Sequence, residues 1–347
     1  MLDFDDSRLE DPELLRLADP LLLPLAESGA RLRREHEAAT GALAELADSP
    51  RPRAVIAFGP EARLLRAVLE PTCPVPFVAW PALGLPGWVG PLDVVVLMGR
   101  RGPESLAVAH EAVRRGCRLL VACPPDSQLA VQAASRATTL LPATSDPLSA
   151  AVVALSALHA MGLGPVVLPE AVAAAMDAVA DECGYRADVA TNPAKALALD
   201  LADAQPLVWG GTILAARASR RIAEALRSAS GRLGLSADAA ALLPVIRATR
   251  PRDPFSDPFE ETGDGLRPGL LLIDDGMDDE ASGEARQRLT AAAEAADIRI
   301  SRLTHTRGSA VERYVTVLLQ GQFAAAYLQI GLGRSLSSAA GTGRIGL

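Results

Sequence analysis

The chain has 347 residues, 49% of them hydrophobic and 22% charged, with a formal net charge of −8. That is apolar material for a substantial core and length for two domains rather than one. The acidic balance, with no basic block, excludes recognition of a nucleic-acid backbone and leaves only local binding of small anions.

Residues 1–48 read as an N-terminal helical arm, with apolar residues at three- and four-residue spacing and Pro20 and Pro24 between segments. The opening "MLDFDDSRLEDPELL" is acidic and lacks the apolar core of a signal peptide. "SPRPR" marks a boundary. From there, residues 49–160 alternate short apolar runs with helical stretches: "AVIAF", "PFVAW", "DVVVLM", "RLLVAC" and "ATTLL". Unbroken Val, Ile and Leu runs indicate strands covered on both faces, hence a parallel sheet wound by helices, an α/β fold.

The uncharged run from 147 to 169 is broken by Gly162, Gly164 and Pro165, which leaves a helix short of the ~20 residues a bilayer requires. It reads as a buried Ala-rich helix, and no membrane partner is expected. A helical connector, 161–204, leads to a second α/β domain, 205–333. There the plan repeats: "PLVWGG", a long helix, the weaker run "LLPVIRA" in a strand position, "GLLLIDDG", a helix around 281–297, "IRISRLTH" and a last helix. Residues 249–269 are too polar and proline-broken for a regular element, which marks a functional or mobile loop. The tail 334–347 is Gly/Ser-rich. Its G-x-G-x-x-G at 341–346 is rejected as a dinucleotide motif, because no strand precedes it and no helix can follow.

Few residues are equipped for chemistry. Lysine occurs once, at Lys195, so any mechanism needing a lysine base must use it. Cys73, Cys117, Cys123 and Cys183 show neither CxxC spacing nor a ligand-spaced histidine, so neither a zinc site nor a disulfide framework is expected, and a reducing cytoplasm fits. After "VVVLM" comes the turn Gly99, Arg100, Arg101, Gly102, then Pro103 and Glu104 opening a helix, with Ser105 one turn in. Amide groups at such a helix start can hold an anion and guanidiniums can clamp it; two solvated arginines are the plainer reading. Gly210, Gly211 and Thr212 form the corresponding turn of the second half. His305, at a strand end beside Thr304, Arg307 and Ser309, is the best single acid-base candidate. Asp274 and Asp275 close a strand and could ligate a divalent metal, although capping the next helix is the blander role. His36, His110 and His159 fall within helices, and Asp253, Asp257, Glu260 and Glu261 fall in the long loop.

The segment "LPGWVGPLDVVVLMGRRGPESLAVAHEAVRRGCRLLVAC" resembles the sugar isomerase (SIS) fold, and specifically the bifunctional phosphoglucose/phosphomannose isomerase family. "NPAKALALDLADAQPLVWGG" and the terminal helix "GSAVERYVTVLLQGQFAAAYLQIG" match it in the same order. The resemblance implies a doubly wound five-stranded sheet in each half and a homodimer whose subunits complete each other's sites. It also implies that Lys195, in the NPAK element, is structural. The departures are chemical. The family's hydroxyl-rich phosphate turn is here Gly99-Arg100-Arg101-Gly102, and its first glycine-rich turn keeps Gly59 but carries Pro60 and Glu61. The family's catalytic glutamate and histidine fall on Ser228 and Pro244, which cannot move protons, and its C-terminal lysine is absent. The implied function is binding of a sugar phosphate or similar small anion, without a cofactor, with isomerase activity lost or residual. Two alternatives stay open: an active aldose-ketose isomerase with His305 as ring opener and Glu260 as base, and a non-catalytic dimeric scaffold or regulator of sugar-nucleotide metabolism.

Overall fold

In the computed structural model the described residues are 3–81, 84–99, 102–144, 146–250 and 266–335. Strands form where the Val/Ile/Leu runs lie: β1 (Val55–Phe58), β2 (Phe77–Ala79), β3 (Val94–Met98), β4 (Arg118–Cys123) and β5 (Thr138–Pro142), then β6 (Ala204–Gly210), β7 (Leu235–Ser236), β8 (Arg267–Asp274) and β9 (Ile300–Thr304). The helices are α1 (Pro12–Leu17), α2 (Asp19–Ala26), α3 (Ser28–Leu46), α4 (Ala62–Leu69), α5 (Pro103–Arg114), α6 (Gln128–Ala133), α7 (Pro147–Ala160), α8 (Pro169–Cys183), α9 (Pro193–Asp200), α10 (Ile213–Ser230), α11 (Ala239–Ala248), α12 (Glu280–Ala295) and α13 (Ala310–Gly331). The chain divides into two compact units, Ser28–Ala174 and Met1–Glu27 with Ala175–Leu347. The arm read from sequence as one segment, 1–48, is thus shared: α3 belongs to the first unit and the preceding residues to the second.

In the unit Ser28–Ala174 every strand pair is parallel, in the order β2-β1-β3-β4-β5. Both β1 and β3 are buried along their whole length, as their uninterrupted apolar runs require. One face packs Ile56, Val95, Leu97, Leu119 and Val121 against Val108, Ala109 and Ala112 of α5. The Ala-rich α7 is buried from Leu148 to Leu158 and ends before Gly162, whose φ of +69° stops the helix. No helix among the described residues is long and apolar enough to cross a membrane. The "LPGWVG" approach is held by charge. Asp93, fully buried, accepts from Arg53 at 2.5 and 3.0 Å and from the Gly90 amide, while Arg53 and Arg115 donate to the carbonyls of Trp88, Pro86 and Val89.

In the other unit the order is β7-β6-β8-β9, again all parallel. Among the described residues this sheet has four strands, one fewer than the resemblance implies, and the chain runs from β9 straight into α13 through a capping box of Ser309 and Glu312. Seventeen of the 22 residues of α13 are buried, the pattern of a helix packed on most sides. The run "LLPVIRA" is not a strand but most of α11. Asp238 caps that helix by accepting from the Ala241 amide, and Ala239, Leu242, Leu243 and Ile246 bury one face at helical spacing. The NPAK element is likewise a helix start, with the Asn192 carboxamide accepting from the amides of Ala194 and Lys195. Lys195 is 2% exposed. Its Nζ donates to the carbonyls of Tyr185 and Ala187 and lies 5.5 Å from the Tyr327 ring centroid, while burial lowers its pKa.

Candidate functional site

Open parallel sheets bind ligands outside the carboxyl ends of their strands, where the strand order reverses. In the first sheet that point lies between β1 and β3. Gly59, just past β1, has φ +122°, and a Cβ there would stand 2.5 Å from the Met98 carbonyl, so only glycine lets the two strand ends approach this closely. Gly99 is similarly tight: its amide donates to the Ala122 carbonyl at 2.7 Å, and a Cβ would lie 3.0 Å from that oxygen. Arg100 and Arg101 lie outside the described residues. Past them, Gly102 is the N-cap of α5 and Pro103 its first residue, and no side chain caps the helix start. The first-turn amides there are left to whatever anion approaches, and Ser105 is half-buried beside them. Glu61, at the head of α4, is buried at 1% exposure and does not cap its own helix.

The second sheet reverses between β6 and β8. A Cβ on Gly210 would meet the Ala215 backbone at 2.4 Å, and one on Gly211 would meet Asp278, Ser282 and Trp209 within 2.9 Å. Thr212 is already engaged twice. Its hydroxyl caps α10 by accepting from the Ala215 amide at 3.0 Å and donates to Asp275 Oδ2 at 2.7 Å. Asp275 is 4% exposed, and its Oδ1 has no hydrogen-bond partner. Arg286 bridges Asp274 and Asp278, and desolvation, opposed by Arg286 and reinforced by the carboxylates of Asp274 and Asp275, raises the Asp278 pKa. Asp279 caps α12 through the Ser282 amide. Asp274 and Asp278 share Arg286, and Asp275 holds the Thr212 hydroxyl, so a phosphate at Gly210, Gly211 and Thr212 would meet carboxylates rather than a free hydroxyl.

The structure places His305 directly after β9, half-buried, with its amide donating to the Asp274 carbonyl at 2.9 Å. Arg307 is exposed, and Glu260 lies outside the described residues. Ser228 and Pro244, where the resemblance puts the catalytic pair, are exposed on α10 and α11. His110 and His159 are exposed, and His36 is half-buried in α3 with its pKa lowered by burial. Cys117, Cys123 and Cys183 are buried free thiols whose pKa values burial raises, Cys183 to about 12, so none is a poised nucleophile. Among the described residues no group of three or more His, Cys, Asp or Glu is arranged to hold a metal ion. Reading the sequence found Asp274 and Asp275 but missed Asp278 and Arg286. Their pairing spans a loop and a helix turn, and no local pattern announces it.

No protein-family profile and no curated protein matches the chain. Solved structures do. The C-terminal domain of glucosamine-fructose-6-phosphate aminotransferase from Francisella tularensis superposes with a TM-score of 0.65 at 11% identity, covering 92% of this chain and 98% of that one. A glucose-6-phosphate isomerase like protein from Thermus thermophilus gives 0.52 at 16% identity, covering 86% and 91%. Glucosamine-6-phosphate deaminase from Thermotoga maritima gives 0.56 at 13%, covering 88% and 96%. At these identities the likeness establishes the fold, tandem parallel α/β sheets of the SIS type, and nothing of the chemistry.

Proposed function

We propose that the chain binds a sugar phosphate or closely related small anion at the first-sheet crevice, as a relative of the phosphoglucose/phosphomannose isomerases whose isomerase activity is lost or residual. The observation that carries this reading is the contrast at the β3 turn. Gly59 and Gly99 bring backbone close at the reversal point, and α5 starts without a side-chain cap, so its amides point at the space where a phosphate would sit. The solved structures that share the fold carry names of enzymes acting on phosphosugars, which supports the ligand class.

The loss of isomerase chemistry is supported by side chains. Moving a proton between C1 and C2 needs a base within hydrogen-bond reach and an acid to open the ring. Ser228 and Pro244 supply neither. His305 lies next to a carboxylate-rich crevice where a phosphosugar is repelled. The test pairs a coupled assay for fructose 6-phosphate turnover with a thermal-shift titration of the same compound. The expected result is stabilisation, about 2.7 kcal/mol at a hundred times Kd, without turnover, and its loss in Arg100→Ala/Arg101→Ala. Robust turnover insensitive to those two substitutions would overturn the proposal.

A further inference from the structure

A groove of about 530 Å³ opens between α11 and α12, away from both crevices at the strand carboxyl ends. Arg247 and Thr249 line it from the end of α11, and Arg288 with four alanines lines it from α12, Ala292 and Ala296 being the more deeply buried. Both helices run back from the carboxyl ends of the strands, so the groove belongs to the opposite edge of the sheet. Arg267, the first residue of β8, marks that edge by donating to the Ala296 carbonyl at 3.3 Å. Neither Arg247 nor Arg288 has an ion pair or hydrogen bond among the described residues, in a unit where Arg286, Arg299 and Arg221 are all paired with carboxylates. Arg247 suits the carbonyl end of α11, but Arg288 sits mid-helix, where the dipole gives it no role.

The chemistry of the lining narrows the occupant. Two guanidiniums without an ion pair among the described residues select a phosphoryl group over neutral molecules. Among the described residues the rest of the lining holds no carboxylate and no carboxamide, and the Thr249 hydroxyl already donates to the Val245 carbonyl at 3.1 Å. A hydroxyl-rich sugar ring would find few partners there. A flat heteroaromatic ring would find an apolar alanine floor to lie on. The volume lies within the roughly 300–1,000 Å³ of small-molecule sites. We propose that this groove binds a nucleoside monophosphate, its phosphate between Arg247 and Arg288 and its base on the alanines of α12. The site is independent of the sugar-phosphate reading above.

Calorimetric titration with AMP, adenosine, inorganic phosphate and glucose 6-phosphate at one ionic strength tests it on the full chain. AMP is expected to bind saturably and at least about tenfold more tightly than inorganic phosphate or adenosine. Arg247→Gln/Arg288→Gln is expected to weaken AMP about tenfold or more, as is Ala295→Leu, which adds bulk without charge on an exposed position in the groove; the two variants report on charge and on space separately. The proposal is overturned if AMP binds no better than inorganic phosphate, which would mean a bare anion cluster, or if both variants bind AMP as the parent does, which would place it elsewhere. The glucose 6-phosphate arm reads the first-sheet crevice instead: binding lost in Arg100→Ala/Arg101→Ala but kept in the groove variants separates the two proposals.

Discussion

The two sheets share one order over four strands, the first adding β5, and put different electrostatics at the same topological point. At the first reversal the turn offers backbone amides and an uncapped helix start; at the second, Thr212 is locked to Asp275 and Arg286 bridges Asp274 and Asp278. The lesson is that topology fixes where a crevice forms and side chains decide what it accepts. Close backbone approach is what both retain, through Gly59 and Gly99 in one and Gly210 and Gly211 in the other. Substitutions at these positions probe the shared part, and charge changes probe the part that diverged.

The largest effect is expected at Gly210→Ala, where the new methyl would meet backbone at 2.4 Å with no flexible side chain to yield. A loss of about 4 kcal/mol in urea denaturation is expected, against about 3 kcal/mol for Gly59→Ala, which combines a 2.5 Å approach to a carbonyl with φ +122°. A loss below 1 kcal/mol at either would mean that the strand ends are not held as closely as described.

Next comes Lys195→Met. It keeps the length of the stem but leaves the carbonyls of Tyr185 and Ala187 without a donor, and about 2 kcal/mol should be lost at neutral pH. Its pH dependence has a definite sign. Burial lowers the folded pKa below 10.5, so between the folded value and 10.5 the unfolded chain holds more protons, and parent stability gains with rising pH from this group. The methionine variant should lack that gain in melts between pH 8 and 10.

Much of this architecture was legible in the sequence, for a physical reason. Strands buried on both faces must be apolar without alternation, so β1, β3, β4, β6 and β8 announced themselves. The short edge strand β7, with Leu235 exposed, has no such run and went unseen, while α11 was misread because Pro244 interrupts its apolar pattern. The sites were less legible. A glycine that permits close approach looks in sequence like any turn glycine, and the Asp278–Arg286 and Arg247–Arg288 arrangements exist only once helices have packed. The resemblance placed the family's catalytic pair on Ser228 and Pro244 and a phosphate turn on Gly210–Thr212, where the Thr212 hydroxyl donates to Asp275.

A smaller effect of opposite sign is expected in the first unit. Glu35 is 3% exposed; its Oε1 accepts from Thr144, and its Oε2 has no hydrogen-bond partner. Burial raises its pKa, so above pH 4.5 the folded state retains a proton the unfolded state has lost, and stability from this group falls as pH rises through the folded value. Glu35→Gln should therefore gain about 1 kcal/mol at pH 7 and nothing below about pH 4, read from melts at both. Equal gains at both pH values would show that packing, not charge, is responsible.

The smallest effect tests function rather than folding. Gly102 has φ 176°, an extended backbone open to any residue, and a Cβ there meets nothing within 4 Å, so Gly102→Ala should shift stability by less than about 0.5 kcal/mol. The methyl would nevertheless stand at the N-cap of α5, on the approach to its free amides. If those amides hold the phosphate, fructose 6-phosphate should bind several-fold more weakly to a protein whose melting temperature has not moved. The same substitution should leave AMP binding in the α11–α12 groove unchanged. An unaltered fructose 6-phosphate titration would remove the α5 turn from the binding site while leaving the fold, and the argument from Gly59 and Gly210, intact.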